Sequence, residues 1–85
     1  MKVKILYFAS VREKLGKDAE EIDLPAGVAT VAALRSHLQQ LGSSYENAFS
    51  EKALLRAAVN QDMSKPTAAI KAGDEVAFFP PVTGG

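Results

Sequence analysis

Apolar and polar residues alternate with a period of two at the start of this chain. In "KVKILYFA", residues 2–9, Val3, Ile5 and Tyr7 form one alternating set and Lys4, Leu6 and Phe8 the other. β-branched and aromatic residues in both sets predict a strand buried on much of both faces. "SVREKLG" follows, with Ser10 and Glu13 at capping-box spacing, Val11 and Leu15 four apart, and Gly16 suited to a C-terminal cap. A short helical turn is expected there. The period returns to two in "AEEIDLPAG", where Glu20, Ile22 and Leu24 alternate with Glu21 and Asp23 until Pro25 and Gly27 end the strand.

The spacing then becomes helical. In "TVAALRSHLQQLG", Val31, Leu34, Leu38 and Leu41 fall on one stripe at i, i+3, i+7 and i+10, with Thr30 placed to cap it and Gly42 to close it. "SSYENAFSEK" repeats the capping-box spacing at Ser43 and Glu46 and predicts a second short helix with Tyr45 and Phe49 inward. "ALLRAAVNQ" predicts a third strand that ends at the turn formers Asn60, Gln61 and Asp62. "MSKPTAAIKAGDE" reads as a connection with a turn at Gly73-Asp74, holding at most a short strand. "EVAFFP" is the last strand, because Pro80 and Pro81 cannot continue a hydrogen-bonded ladder.

This order predicts an α+β roll: a mixed sheet with one main helix across one face. The first and last strands are the most apolar. They are expected side by side at the centre of the sheet, parallel if a crossover lies between them.

Composition narrows the class. Eighty-five residues make one domain, expected over residues 1–79 with 80–85 as a functional tail. A chain of this size buries roughly 60–65% of its unfolded surface, and 47% hydrophobic residues argue against disorder. Ten basic residues balance ten acidic ones, so no nucleic-acid partner is expected; Lys2 and Lys4 read as the solvent side of a strand. The absence of cysteine excludes disulfides, zinc–thiolate sites and cysteine nucleophiles. No apolar run approaches the ~20 residues of a membrane span, and the first residues lack a signal peptide's order. The expectation is a cytoplasmic protein with no membrane partner.

The side chains offer little chemistry of their own. Glu20, Glu21 and Asp23 read as a solvated strand edge, since no histidine lies nearby in sequence, and no metal site is expected. His37 borders the apolar stripe without an acidic or nucleophilic partner and reads as a packing or surface residue. What remains is "FFPPVTGG", residues 78–85, in which two prolines lead to a side-chain-free Gly84-Gly85.

A β-β-α-β-β roll that closes on Gly-Gly is similar to the ubiquitin-like, or β-grasp, fold. Within it, "NQ" at 60–61 followed by "GDEVAFFPPVTGG" at 73–85 resembles the small, sulfur-carrying subunit of molybdopterin synthase. "YFASVRE" at 7–13 and "TVAALRSHL" at 30–38 fit that family too, whereas 43–53 is generic. The resemblance implies that an ATP-dependent enzyme of the ubiquitin-activating type adenylates the Gly85 carboxylate. Sulfur transfer then makes a thiocarboxylate, and a large subunit moves that sulfur onto cyclic pyranopterin monophosphate. It further implies a heterotetramer, two large subunits in the middle and a small one at each end, with no cofactor bound by this chain.

By the same resemblance, Gly84 and Gly85 are the reacting end. Phe79, Pro80, Pro81, Val82 and Thr83, with Arg12 and Met63, match positions where the family meets its partners. Phe79 also reads as an ordinary core aromatic, and Arg12 as a solvated turn residue. The residues themselves fit such a carrier: without cysteine no side chain can hold a persulfide, which leaves the terminus. Six residues after Phe79 span at most about 20 Å; the prolines stiffen the base, and the glycines present no Cβ to a narrow channel. Three other readings stay open. They are a thiamine-pathway sulfur carrier (disfavoured by "FFPPV" before "TGG"), a protein modifier joined through Gly85, and an interaction domain with an idle tail.

Overall fold

The period-two segments become strands and the helical-period segments helices. In the computed structural model, which describes residues 1–81, β1 (Lys2–Tyr7) leads into α1 (Ala9–Leu15) and β2 (Ala19–Asp23). Two helices follow, α2 (Val31–Gln39) and α3 (Ser43–Ala48), and then β3 (Arg56–Val59), β4 (Asp62–Ser64) and β5 (Glu75–Phe79). The sheet order is β2-β1-β5-β3-β4. β1 and β5 run parallel at its centre, Ile5 beside Val76 and Tyr7 beside Phe78. The other three pairings are antiparallel. The two most apolar strands hold the middle of an α+β roll, as their composition predicts.

Local chemistry sets the element ends. The Thr30 hydroxyl accepts the Ala33 N–H at 3.1 Å, capping α2. Gly16 closes α1 at φ 72° and donates its N–H to the Arg12 carbonyl. A two-residue loop joins β3 to β4 with Asn60 at φ 51° and Gln61 at φ 72°, the left-handed pair that a tight hairpin turn requires. The Asn60 amide donates to Asp74 Oδ1 at 3.0 Å while its carbonyl accepts the Glu75 N–H, so the hairpin is tied to the start of β5. That hydrogen bond, with one from the Lys71 N–H, outweighs burial and holds the Asp74 carboxyl below the usual carboxylate range.

The core lies on one face of the sheet. Val3, Ile5, Tyr7, Val76 and Phe78 are all 1% exposed or less, and Val11, Leu34 and Leu38 from the helices, with Phe49 just after α3, cover them. Phe49 meets Phe78 edge-on with ring centroids 5.1 Å apart and Tyr7 at 6.0 Å, a geometry worth about 0.5–1.5 kcal/mol per pair beyond burial.

Several expectations need correction. β1 is buried on one face only: Lys2 and Lys4 are exposed, Leu6 is half-buried and Phe8 is 44% exposed, because the helices pack on a single side of the sheet. Neither capping box forms. α1 starts at Ala9 and α3 at Ser43, so Ser10 and Ser43 lie inside their helices and make no cap bond. α2 ends at Gln39, which leaves Leu41 beyond the helix and 44% exposed. The third strand begins only at Arg56, whereas the short strand that the connection could hold is present as β4.

Candidate functional site

The sheet face opposite the helices is the feature that side-chain alternation builds and nothing in the fold covers. Residues between the inward-pointing ones face out. The register aligns five of them across all five strands: Ala19 beside Leu6, Leu6 beside Ala77, Ala77 beside Ala58, and Ala58 beside Met63. The row is wholly apolar. Ala77 and Ala58 keep the centre flat, Leu6 and Met63 stand on either side of them, and Ala19 ends the row on β2, Met63 being 62% exposed. Two residues along, Glu21, Lys4 and Glu75 align as a charged border. Toward the other end, Phe79 pairs with Arg56, and Phe8 lies where its N–H reaches the Phe78 carbonyl at 3.2 Å.

The tail root is at this second end. β5 finishes at Phe79, and half-buried Pro80 and Pro81 follow. Since β1 runs parallel to β5, its own end and the start of α1 lie at the same side of the sheet. The Arg12 N–H closes back on the Phe8 carbonyl, so exposed Arg12 belongs to that end as well. Met63 sits on the edge strand. The structure therefore gathers Phe79, Met63 and the apolar row on one face, with Arg12, Pro80 and Pro81 at its tail end. Phe79 is half-buried on the outer face, with Phe78 taking the core position. Arg12 lies on a helix rather than a turn. Val82, Thr83, Gly84 and Gly85 lie outside the described residues. Leu6, Phe8, Ala58 and Ala77 join the face without having been singled out from sequence; only strand register brings them together.

The acidic cluster divides between the faces. Glu21 is exposed on the outer side, whereas Glu20 is half-buried on the inner side. There Tyr7 and Tyr45 each donate a hydroxyl to its Oε2 at 2.7 Å, and Lys17 lies 3.4 Å from its Oε1. Burial alone would raise the Glu20 carboxyl; the bonds from Tyr45 and Tyr7, with Lys17, reverse that and hold it low. Burial, then the Glu20 bond, pushes the Tyr7 hydroxyl well up, so it remains a donor. The network ties α3 to β2 and is structural. Among the described residues no three of His, Cys, Asp and Glu are grouped to hold a metal, and no helix is long and apolar enough to cross a membrane. His37 is half-buried on α2.

With this geometry in place, likeness to other proteins can be read. The ThiS family model matches residues 5–85. The molybdopterin synthase sulfur carrier subunit of Haemophilus influenzae is 47% identical over 83 residues, spanning 98% of this chain and 99% of its own. The Escherichia coli protein of the same name has the same identity and coverage. A putative molybdopterin converting factor subunit 1 from Pyrococcus furiosus superposes with a TM-score of 0.79 at 35% identity, covering 96% of this chain and 99% of its own.

Proposed function

This chain belongs to the ThiS family, and on that premise we propose that it is the sulfur carrier subunit of a molybdopterin synthase, acting in molybdenum cofactor biosynthesis. What carries the reading is the 47% identity, over nearly the whole chain, to proteins of that name. The geometry supports it: an uncovered apolar sheet face lies directly beside the root of the Gly84-Gly85 tail, where a docked partner would receive the tail.

The chemistry needs two partners. A carboxylate is unreactive toward sulfur donors until oxygen becomes a leaving group. An adenylating enzyme of the ubiquitin-activating type joins the Gly85 carboxylate to the phosphate of ATP with loss of pyrophosphate. A sulfur donor then displaces AMP, leaving a thiocarboxylate. The carried sulfur next bonds to cyclic pyranopterin monophosphate in the large subunit, and water cleaves the acyl–sulfur bond, leaving the sulfur on the pterin and returning the carboxylate. The large subunit is the docking partner in this scheme, in an assembly of two large and two small subunits. In this reading the chain binds no cofactor, contributes no acid or base, and works in the cytoplasm.

Phe79, Met63 and Arg12 serve as docking residues, and Pro80 to Thr83 as the stem of the tail. The test is molybdopterin formation from the pterin precursor with purified large subunit and thiocarboxylated chain. Deleting Gly85 should abolish product, because the reacting carbon then stops one residue short. Product at the wild-type rate from the deletion would reject the assignment.

A further inference from the structure

A groove of about 890 Å³ lies between α2 and the β3–β4 pair. Met63 and Arg56 of the outer face also line it, so the groove is continuous with the proposed docking surface. Its volume lies within the ~300–1,000 Å³ of clefts that take ligands. Val31, Leu54 and Phe78 contribute apolar surface. Leu54, at 77% exposed, is the most exposed large apolar side chain among the described residues. Arg35, Arg56 and Lys65 line the groove against a single acid, Glu51. The chain as a whole is neutral, so this excess of cations is local. None of the three forms an ion pair among the described residues. Arg35 donates to the carbonyls of Phe49, Ser50 and Ala53 at 3.4, 2.6 and 2.8 Å, which fix it without cancelling its charge.

We propose that this groove takes an acidic stretch of the docked large subunit, with an apolar side chain seated on Leu54 and neighbouring carboxylates facing Arg35, Arg56 and Lys65. The inference rests on the reading of the outer face as the docking surface and extends that surface past β4. Continuity, charge and order carry it. A partner that covers Met63 and Arg56 reaches the groove without a second docking event. Three cations against one acid attract a stretch rich in Asp or Glu and repel a basic one, which fixes partner choice and speeds encounter. Arg35 is already held in place, so little side-chain freedom is lost when a carboxylate meets it. Leu54 supplies the apolar contact that an anchor residue needs. The groove thus reads the partner's charge pattern, which the flat apolar row does not.

The test uses the full-length chain and purified large subunit. Leu54→Asp and Lys65→Glu change exposed residues, so their thermal melts should match wild type. In calorimetric titration Leu54→Asp should weaken binding at least about tenfold, the effect of losing one buried leucine. Lys65→Glu should weaken it too and flatten the dependence of Kd on salt, whereas Lys71→Glu, outside the groove, should do neither. The chain has no cysteine, so Leu54→Cys can carry a single benzophenone label. It should cross-link to a large-subunit stretch that holds Asp or Glu beside an apolar residue, and the same label at Leu41→Cys, also outside the groove, should not. Cross-links to a basic stretch, to a second copy or to nothing would overturn the proposal. Groove variants that bind like wild type while Phe79→Ala binds weakly reject the groove and leave the docking face standing. Wild-type binding by Phe79→Ala and the groove variants alike rejects the docking face itself.

Discussion

Phe78 and Phe79 are neighbours that face opposite sides of the sheet, and truncating each to alanine should separate folding from docking. Phe78 is 1% exposed and edge-stacked on Phe49 at 5.1 Å. Phe78→Ala should cost about 3–5 kcal/mol, a large share of the ~5–15 kcal/mol that holds a domain folded. Phe79 is half-buried on the outer face beside Arg56. Its truncation removes part of that burial, about 1–2 kcal/mol, and leaves the core rings in place. At the interface the order reverses. A central aromatic anchor is worth about 2 kcal/mol or more, which is roughly 30-fold in Kd. Urea unfolding gives the first quantity and calorimetric titration with the large subunit the second. Phe79→Ala that binds like wild type, or that loses as much stability as Phe78→Ala, would refute the assignment of this face.

Met63→Lys, at a 62% exposed position, should leave stability within about 0.5 kcal/mol yet weaken large-subunit binding in the same titration, since it sets a charge at the end of the apolar row. Gln61→Gly should raise stability by about 0.5–1 kcal/mol in a thermal melt, because Gln61 holds φ 72°, which a side chain disfavours. Glu20→Gln should cost about 1–2 kcal/mol at neutral pH. The folded Glu20 carboxyl lies below its ordinary 4.5, so its contribution is complete above that value and is lost as pH falls through the lower folded one. Urea melts across pH should therefore show wild type and variant converging in acid. Gly84→Val should leave the melt unchanged while sulfur delivery falls about 100-fold, the effect of a small misplacement of the reacting carbon.

The central pairing of the sheet could be read from sequence because β1 and β5 are its most apolar segments, and the Thr30 cap because its spacing to α2 is unambiguous. The outer face could not. Its row draws Ala19, Leu6, Ala77, Ala58 and Met63 from five strands, and an alanine carries no local sign of which face it takes. Apolar residues in both alternating sets of β1 suggested two buried faces. In the structure the second set serves a surface that this chain alone leaves open. The short strand allowed after the third could not be given bounds, because the three residues of β4, Asp62, Met63 and Ser64, show no apolar period. The capping boxes misled through position: each serine stands at or beyond the first helical residue, where its hydroxyl does not reach the free N–H groups.

The most direct measurement is the intact mass of the chain after incubation with its activating enzyme, ATP and a sulfur donor. The account predicts a gain equal to one oxygen-to-sulfur exchange, confined on digestion to the peptide that ends in Gly85. Adding the large subunit and pterin precursor should return the mass to its starting value as molybdopterin appears. An unchanged mass, or conjugates of this chain with other proteins in place of the sulfur-bearing form, would contradict it.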